Sequence, residues 1–327
     1  DEPLSSLDAK LREELRIELK KIQTDLNATI LYVTHDQTEA TTMADRIGVL
    51  KEGILTQVGT PQEIYNEPNS IYVANRLGSP KINIEKPASF MMSNIYCAIN
   101  LLMAAQISKV KKYLYTSTYG VYGRTQIMKE NDVWKTFPSD NDKFAGWAKR
   151  IGELQVEAFK IEYDFESLHI VRPANIYGPY ANFDPENSMV ISSLIRRIIE
   201  GENPLVVWGD GSAVRDFIFS EDVANAMIQV MQKKIEKPIN IGSGSGISIK
   251  ELVGTLISSK TIKKKPKVIF DKTKPAGDKM RILDTSLAKS YKITNNISLK
   301  EGLDKTINWY LNNRSLTHKR FNYFKKN

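Results

Sequence analysis

The sequence predicts an α/β protein built on a parallel sheet covered on both faces, and three observations carry that expectation. The runs "KKYLYTST" and "LHIVRPA" read as strands, and the segment between them holds a long helix over about 143–163. The run "ATILYVTH" is short and rich in β-branched residues, as a buried parallel strand is. At 327 residues, with 41% hydrophobic and 26% charged, the chain is large enough for a sizeable core or two domains.

Along the chain, "DEPLSSLDAK" opens on an acidic pair and a turn. "LDAKLREELRIELKKIQTDL" then spaces leucine and isoleucine by three and four among charges, which predicts an amphipathic helix. After "ATILYVTH" a second helix starts with Thr34 and Gln37 at capping-box spacing. "IGVLKEGILTQVG" predicts two strands around a Lys51-Glu52-Gly53 turn, and Thr60-Pro61-Gln62-Glu63 opens a short helix with proline at its first position. From "GSPKINIEKPASF" onward the text changes: a helix over about 88–107 leads to the two strands above and further alternating elements. In "NIGSGSGISIKEL", Ser248 and Glu251 form a capping box ahead of a helix.

The net charge of +8 is uneven: residues 1–84 hold 9 Lys+Arg against 13 Asp+Glu, and the remainder 37 against 25. The excess lies largely in "KKIEK", "TIKKKPK" and "THKRFNYFKKN", which read as solvated edges and a tail, so no nucleic-acid partner is expected. A single cysteine, Cys97, excludes an internal disulfide framework. No apolar run approaches the roughly 18–20 residues that span a bilayer, and no signal peptide precedes the first strand, so a cytoplasmic protein is expected.

Residue types at the start suggest one chemistry and one plainer alternative. Asp1 and Glu2 ahead of a helix, with His35 just after a strand, suit a carboxyl-edge site for nucleotide hydrolysis, with Asp1 holding Mg²⁺, Glu2 polarising water and His35 sensing the γ-phosphate. On residue types alone the plainer reading, an acidic helix start and a loop histidine, is the favoured one. Residues 1–84, from "DEPLSSLDAK" through "RLGSPKIN", resemble the ATP-binding subunit of sugar-importing ABC transporters from its Walker B motif onward. The resemblance implies that Asp1 is the Walker B aspartate, Glu2 the catalytic glutamate, Ser6-Leu7-Asp8 the D-loop and His35 the switch histidine. ATP and Mg²⁺ would serve an intact homologue, but no G-x-x-x-x-G-K-[ST] loop occurs in the chain. ATP hydrolysis and contact with a permease are therefore not expected of this segment.

The larger part has its own constellation. "YLYTSTYGVYG" ends a strand in hydroxyls and "FAGWAKRIGELQ" begins a helix carrying Lys149, an arrangement that supports proton transfer beside a nicotinamide or is simply a polar strand end and a helical lysine. Residues from about Lys86 to Tyr310, through "TSTYGVYG", "VRPANIYGP", "VVWGDGSAVRDFIFSEDVANAM" and "KPAGDKMRILD", resemble the NAD-dependent sugar-nucleotide epimerases and dehydratases of the extended short-chain dehydrogenase/reductase family. The resemblance implies a truncated Rossmann-like sheet with a small C-terminal substrate domain. It implies NAD or NADP as cofactor, a nucleoside diphosphate sugar as ligand, and a homodimer as an assembly to be weighed.

Carried over by position, Thr118 is the catalytic hydroxyl, Lys149 the lysine of Y-x-x-x-K, and Ser117, Lys149 and Pro173 line the cofactor. Asn175, Arg215 and Arg281 contact the substrate, with Asp216 following Arg215. Two departures stand out. Ala145 occupies the place of the proton-transferring tyrosine, leaving Tyr119 or Tyr122 as displaced substitutes, and the glycine-rich pyrophosphate turn of the first strand-helix-strand unit is missing. "NIGSGSGISIKEL" matches a late turn of the family rather than that loop. Without the first unit, the sheet is expected to end in an unpaired strand edge.

The expectation is a chimera of residues 1–84, an ABC ATPase fragment, and 85–327, an N-terminally truncated epimerase/dehydratase that binds a nucleotide sugar with impaired turnover. The alternative is a fragment of a carbohydrate-importer ATPase. The absence of an initiating methionine is read as the mark of a fragment.

Overall fold

The computed structural model describes residues 18–19, 21–23, 25, 31, 33, 44–51, 54–60 and 87–314, apart from 164, 166, 186–187 and 275–276. Asp1, Glu2, Ser6-Leu7-Asp8, the Thr34–Gln37 capping pair and His35 lie outside the described residues. The chain divides into two compact units, Asp1–Asn75 and Arg76–Asn327.

In the first unit, residues 18, 19, 21–23 and 25 are helical, within the predicted amphipathic helix. Strands β1 (Ile47–Lys51) and β2 (Ile54–Gly59) pair antiparallel from Lys51 opposite Ile54 outward, with a register shift between Val49 and Leu50. Both strands of the expected hairpin are therefore present.

The second unit begins with α1 (Pro87–Ile107), β3 (Lys112–Thr116), β4 (Ile127–Met128), α2 (Lys143–Glu162), β5 (Ser167–Pro173) and β6 (Asn175–Tyr177). It continues through α3 (Val190–Ile199), β7 (Leu205–Trp208), β8 (Val214–Phe219), α4 (Ser220–Gln232), β9 (Ile239–Ile241), β10 (Gly246–Ser248) and α5 (Ile249–Ser258). β11 (Val268–Asp271), β12 (Met280–Leu283), α6 (Ser286–Ser290) and α7 (Leu299–Asn312) complete it.

β3, β5 and β9 form a parallel sheet in that order. Side chains alternate across it with the period of two that a strand imposes. Tyr115, Leu168 and Ile170 join Ala98 and Leu102 of α1 and Val156 and Phe159 of α2 in one core cluster. Leu114 and Val171 turn to the other face, into a cluster with Val223, Ala226 and Val230 of α4. Helices thus cover both faces, as the alternation predicted.

β3 ends the sheet on one side, and among the described residues its free edge has no partner strand. Within α1, Phe90–Ile107 is long and apolar enough to cross a membrane by length and composition, where no such run was expected. This helix packs against α2 and β3. A separate core under α3, β7, α5 and α7 holds Phe183, Ile195, Leu205, Leu256 and Tyr310 and makes the smaller C-terminal region. There, α5 starts with the expected capping box: Ser248 accepts from the Glu251 N–H while Glu251 accepts from the Ser248 N–H at 2.9 Å.

Two glycines bring α2 down onto the strand ends. A Cβ at Gly146 would lie 2.4 Å from the Gly120 carbonyl oxygen, and one at Gly152 would lie 2.2 Å from the Tyr115 hydroxyl. Three polar contacts close the same seam. Arg150 donates through Nε and Nη2 to the Val121 carbonyl at 2.9 and 2.7 Å, and Lys149 Nζ donates to the Thr116 carbonyl at 3.0 Å. Arg172 of β5 donates to both Glu153 carboxylate oxygens at 2.9 and 2.7 Å and to the Tyr122 hydroxyl at 3.2 Å. Arg172 and Glu153 are both fully buried, so each desolvated charge depends on the other.

Two stability predictions follow from this interior. Glu153→Gln leaves the Arg172 guanidinium uncompensated, and urea unfolding should show a loss of about 3–5 kcal/mol. Buried His169 is held by Ser167 Oγ at 2.6 Å and the Ile235 carbonyl at 2.7 Å, and burial lowers its pKa below the usual histidine range. The unfolded chain therefore binds the proton first as pH falls. Stability contributed by His169 should be intact above about pH 6.5 and be lost as pH falls through the lower folded value. His169→Gln should flatten that acid limb in urea titrations run from pH 7.5 to 5.

Candidate functional site

The carboxyl end of β3 delivers the hydroxyls. Ser117 N–H donates to the Val171 carbonyl at 2.8 Å, which extends the ladder by one residue and buries the side chain. Ser117 Oγ has no hydrogen-bond partner there. Thr118 caps a 3₁₀ turn over Tyr119–Val121, its Oγ1 accepting from the Gly120 N–H at 3.2 Å. Lys149 lies against this strand end with its ammonium 5.2 Å from the centre of the Tyr115 ring, and burial lowers its pKa. Pro173, the last residue of β5, is buried and pairs with Ile241. Ser117 and Lys149 therefore converge on one strand end, with Thr118 next in the chain.

The substrate-contact candidates form a second group. Asn175 Oδ1 accepts from the Tyr119 hydroxyl at 2.8 Å, and Asn175 Nδ2 donates to the Asp216 carbonyl at 2.9 Å. Arg215 of β8 and Arg281 of β12 stand directly opposite each other in a parallel pair, so their side chains leave the sheet on the same face. The Arg281 guanidinium lies 4.6 Å from the centre of the Tyr119 ring and bonds to Asp142, with Asp278 at 3.6 Å. Burial raises the Tyr119 pKa and Asp142 adds to the rise, while Arg281, Arg215 and the Asn175 bond pull it back. Burial likewise lowers the Arg215 pKa.

Residue 216 alternates to the opposite face, where its carboxylate fills the glycine-rich turn. Asp216 accepts from the N–H groups of Ser243 at 2.8 Å, Gly244 at 3.2 Å and Leu283 at 3.3 Å, and from Ser243 Oγ at 2.5 Å. Burial raises its pKa, and these donors oppose the rise. The turn's anion-binding capacity is spent inside the protein. "NIGSGSGISIKEL" thus has the place and partners of a structural turn.

Of the two displaced phenols, Tyr122 is fully buried between Asn240 at 2.6 Å and Arg172, while Tyr119 donates to Asn175 Oδ1 at 2.8 Å. Sequence reasoning missed Asp142 and Asp278. Asp142 is the N-cap residue of α2, a position that a helix-start reading of "SDNDKF" flags, but nothing local pairs it with residue 281. Two clefts flank Ser243 and Asn295, and neither includes Tyr119, Arg215 or Arg281. The charge and hydrogen-bond pattern marks the site better than its depth does. Among the described residues no cluster of His, Cys, Asp and Glu is placed to hold a metal ion.

Removing the Asp216 carboxylate orphans three N–H groups around the turn. Asp216→Ala should cost on the order of 3 kcal/mol in urea unfolding, with faster amide exchange at Ser243 and Gly244.

Comparison with known proteins gives two likenesses. The model of the NAD dependent epimerase/dehydratase family matches residues 21–242. GDP-L-fucose synthase of Escherichia coli is 33% identical over 266 residues, covering 75% of this chain and 81% of that protein. The crystal structure of UDP-glucose 4-epimerase with UDP-glucose from Thermotoga maritima superposes with a TM-score of 0.63 at 29% identity, covering 73% of this chain and 75% of that one. The second likeness is to the sn-glycerol-3-phosphate import ATP-binding protein UgpC of Roseobacter denitrificans, 56% identical over 84 residues, which are 26% of this chain and 24% of that protein. The family match begins at residue 21, within the segment that resembles the transporter subunit, so the two likenesses overlap.

Proposed function

The chain belongs to the NAD dependent epimerase/dehydratase family, and from that premise we propose that its larger part binds a nucleoside diphosphate sugar with Arg215, Arg281 and Asn175, with little turnover as the chain stands. The observation that carries this reading is the register pairing of Arg215 with Arg281 on one face, beside the Tyr119–Asn175 hydrogen bond. Two planar guanidinium forks side by side suit the oxygens of a diphosphate, which single lysines would meet only as point charges. Asn175 and Tyr119 then face the sugar with an amide and a phenol.

A nicotinamide cofactor supplies the hydride donor or acceptor when bound. This chain fits it at one end: Ser117 offers a buried, unpartnered hydroxyl, and Lys149 a desolvated ammonium on the carbonyl of the preceding residue, Thr116. It does not fit at the pyrophosphate end, because the one strand-glycine-helix run among the described residues is filled by Asp216. NAD and NADP are not distinguished by any described residue.

Ala145 offers no proton-transfer group one helical turn before Lys149. Losing general acid/base catalysis alone lowers rates about 100- to 10,000-fold. Thr118 keeps its hydroxyl at the strand end, and Tyr119 holds a phenol against Asn175.

A second reading applies to residues 1–84, where 56% identity over 84 residues supports origin in a transporter ATP-binding subunit. The chain spans about a quarter of that relative's length, and no phosphate-binding loop occurs in the sequence. On this reading the chain is a chimera with its junction near residue 84, and a cytoplasmic protein.

Calorimetry with UDP- and GDP-sugars tests the larger claim. We expect weak binding that Arg215→Met reduces by about tenfold or more, and Ala145→Tyr alone should leave turnover near background. Binding indifferent to Arg215, or substantial turnover by the unmodified chain, would overturn the proposal.

A further inference from the structure

We infer that Asp142 and Asp278 hold the place of the ligand's diphosphate in the free protein, and that binding exchanges these carboxylates for phosphate oxygens on Arg281. The inference rests on the nucleotide-sugar reading above and adds to it a built-in competitor. Two neighbouring guanidinium groups in register repel each other and need anions close by. The protein supplies them from two directions: Asp142 from the start of α2, and Asp278 from three residues before Arg281.

The order of burial shows which partner an arriving anion meets first. The Arg281 side chain is 6% exposed, while those of Asp142 and Asp278 are 26% and 16% exposed. The carboxylates are therefore more accessible to solvent than the guanidinium they pair with. Arg281 is also incompletely satisfied, because its Nε is buried without a hydrogen-bond partner although Nη1 has two carboxylates and Nη2 the Tyr119 carbonyl at 3.3 Å. A group with more oxygens than a carboxylate can reach this remaining donor.

Both carboxylates have somewhere else to go. Asp142 is the N-cap residue of α2, yet its side chain makes no capping bond, and the first turn of that helix carries no acidic residue. Released from Arg281, the carboxylate can cap the N–H groups of α2 and meet the positive end of the helix dipole, which offsets the lost ion pair. Asp278 already lies 3.9 Å from Arg124 Nε and accepts from Asn141 Nδ2 at 3.3 Å. The exchange thus replaces one set of satisfied charges by another.

The test is calorimetric titration of UDP, GDP and inorganic pyrophosphate into the wild-type chain, Asp142→Asn, Asp278→Asn and Arg281→Met. Each asparagine variant removes a competing charge while keeping size, so its Kd for a nucleoside diphosphate should fall about five- to tenfold, and Arg281→Met should weaken binding. The two acids come from separate segments of the chain, so the second variant still tests the exchange if the first fails to fold. Unchanged or weaker binding in the folded asparagine variants would overturn the exchange and make the carboxylates positioning groups for Arg281. Pyrophosphate binding tightened by the variants, with no preference for UDP or GDP, would uphold the exchange and overturn the nucleotide-sugar reading. No binding of any probe by any variant would overturn both.

Discussion

The seating of α2 on the ends of β3 and β5 is the constraint on which the second unit depends. Gly146 and Gly152 let the helix backbone approach where any side chain would collide with the Gly120 carbonyl or the Tyr115 hydroxyl. That approach puts Arg150 on the Val121 carbonyl, Lys149 on the Thr116 carbonyl and Glu153 on Arg172. The 3₁₀ turn carrying Thr118 and Tyr119 is therefore clamped between a helix and a sheet. The positions of the Tyr119 phenol and the Asp142 carboxylate, both against Arg281, descend from the same contact.

Charge in this unit is arranged in two regimes. In the interior, Arg172 and Glu153 satisfy one another bidentately and admit no outsider, which suits a fixed scaffold. At the site, Arg281 is held by acids that are themselves partly in solvent. Asp216, next to Arg215 in the chain, belongs to the first regime, because its side chain leaves the opposite face of β8 and is enclosed by backbone donors. One strand thus separates an enclosed anion from a cation that stands opposite Arg281, by the alternation of adjacent residues.

The legible part of the fold was what periodicity and local chemistry encode. The β1–β2 hairpin, α1, β3, α2, β5 and the Ser248–Glu251 capping box all stand where residue spacing put them. The resemblance supplied Ser117, Thr118, Lys149, Asn175, Arg215 and Arg281, and the structure places Lys149 on the Thr116 carbonyl that leads into Ser117 and Thr118, and Arg215 opposite Arg281. What was not legible depends on distance along the chain. Asp142 and Arg281 are 139 residues apart, and Tyr122 and Asn240 are 118 apart. No local pattern pairs such residues, because their meeting is decided by sheet order. Asp1, Glu2 and His35 rest on the sequence alone.

The register of β8 against β12 also governs how this site can change over generations. Arg215 and Arg281 share a face only because Val214 stands opposite Met280 and each strand then advances by one residue. Substituting either arginine alters the charge and leaves the geometry standing. Inserting or deleting one residue between either arginine and the pairing that sets its strand turns that guanidinium to the other face, toward the turn occupied by Asp216. The segments 214–216 and 280–282 are therefore open to point substitution but closed to changes of length. Loops outside the ladder can vary in length without reversing the pair.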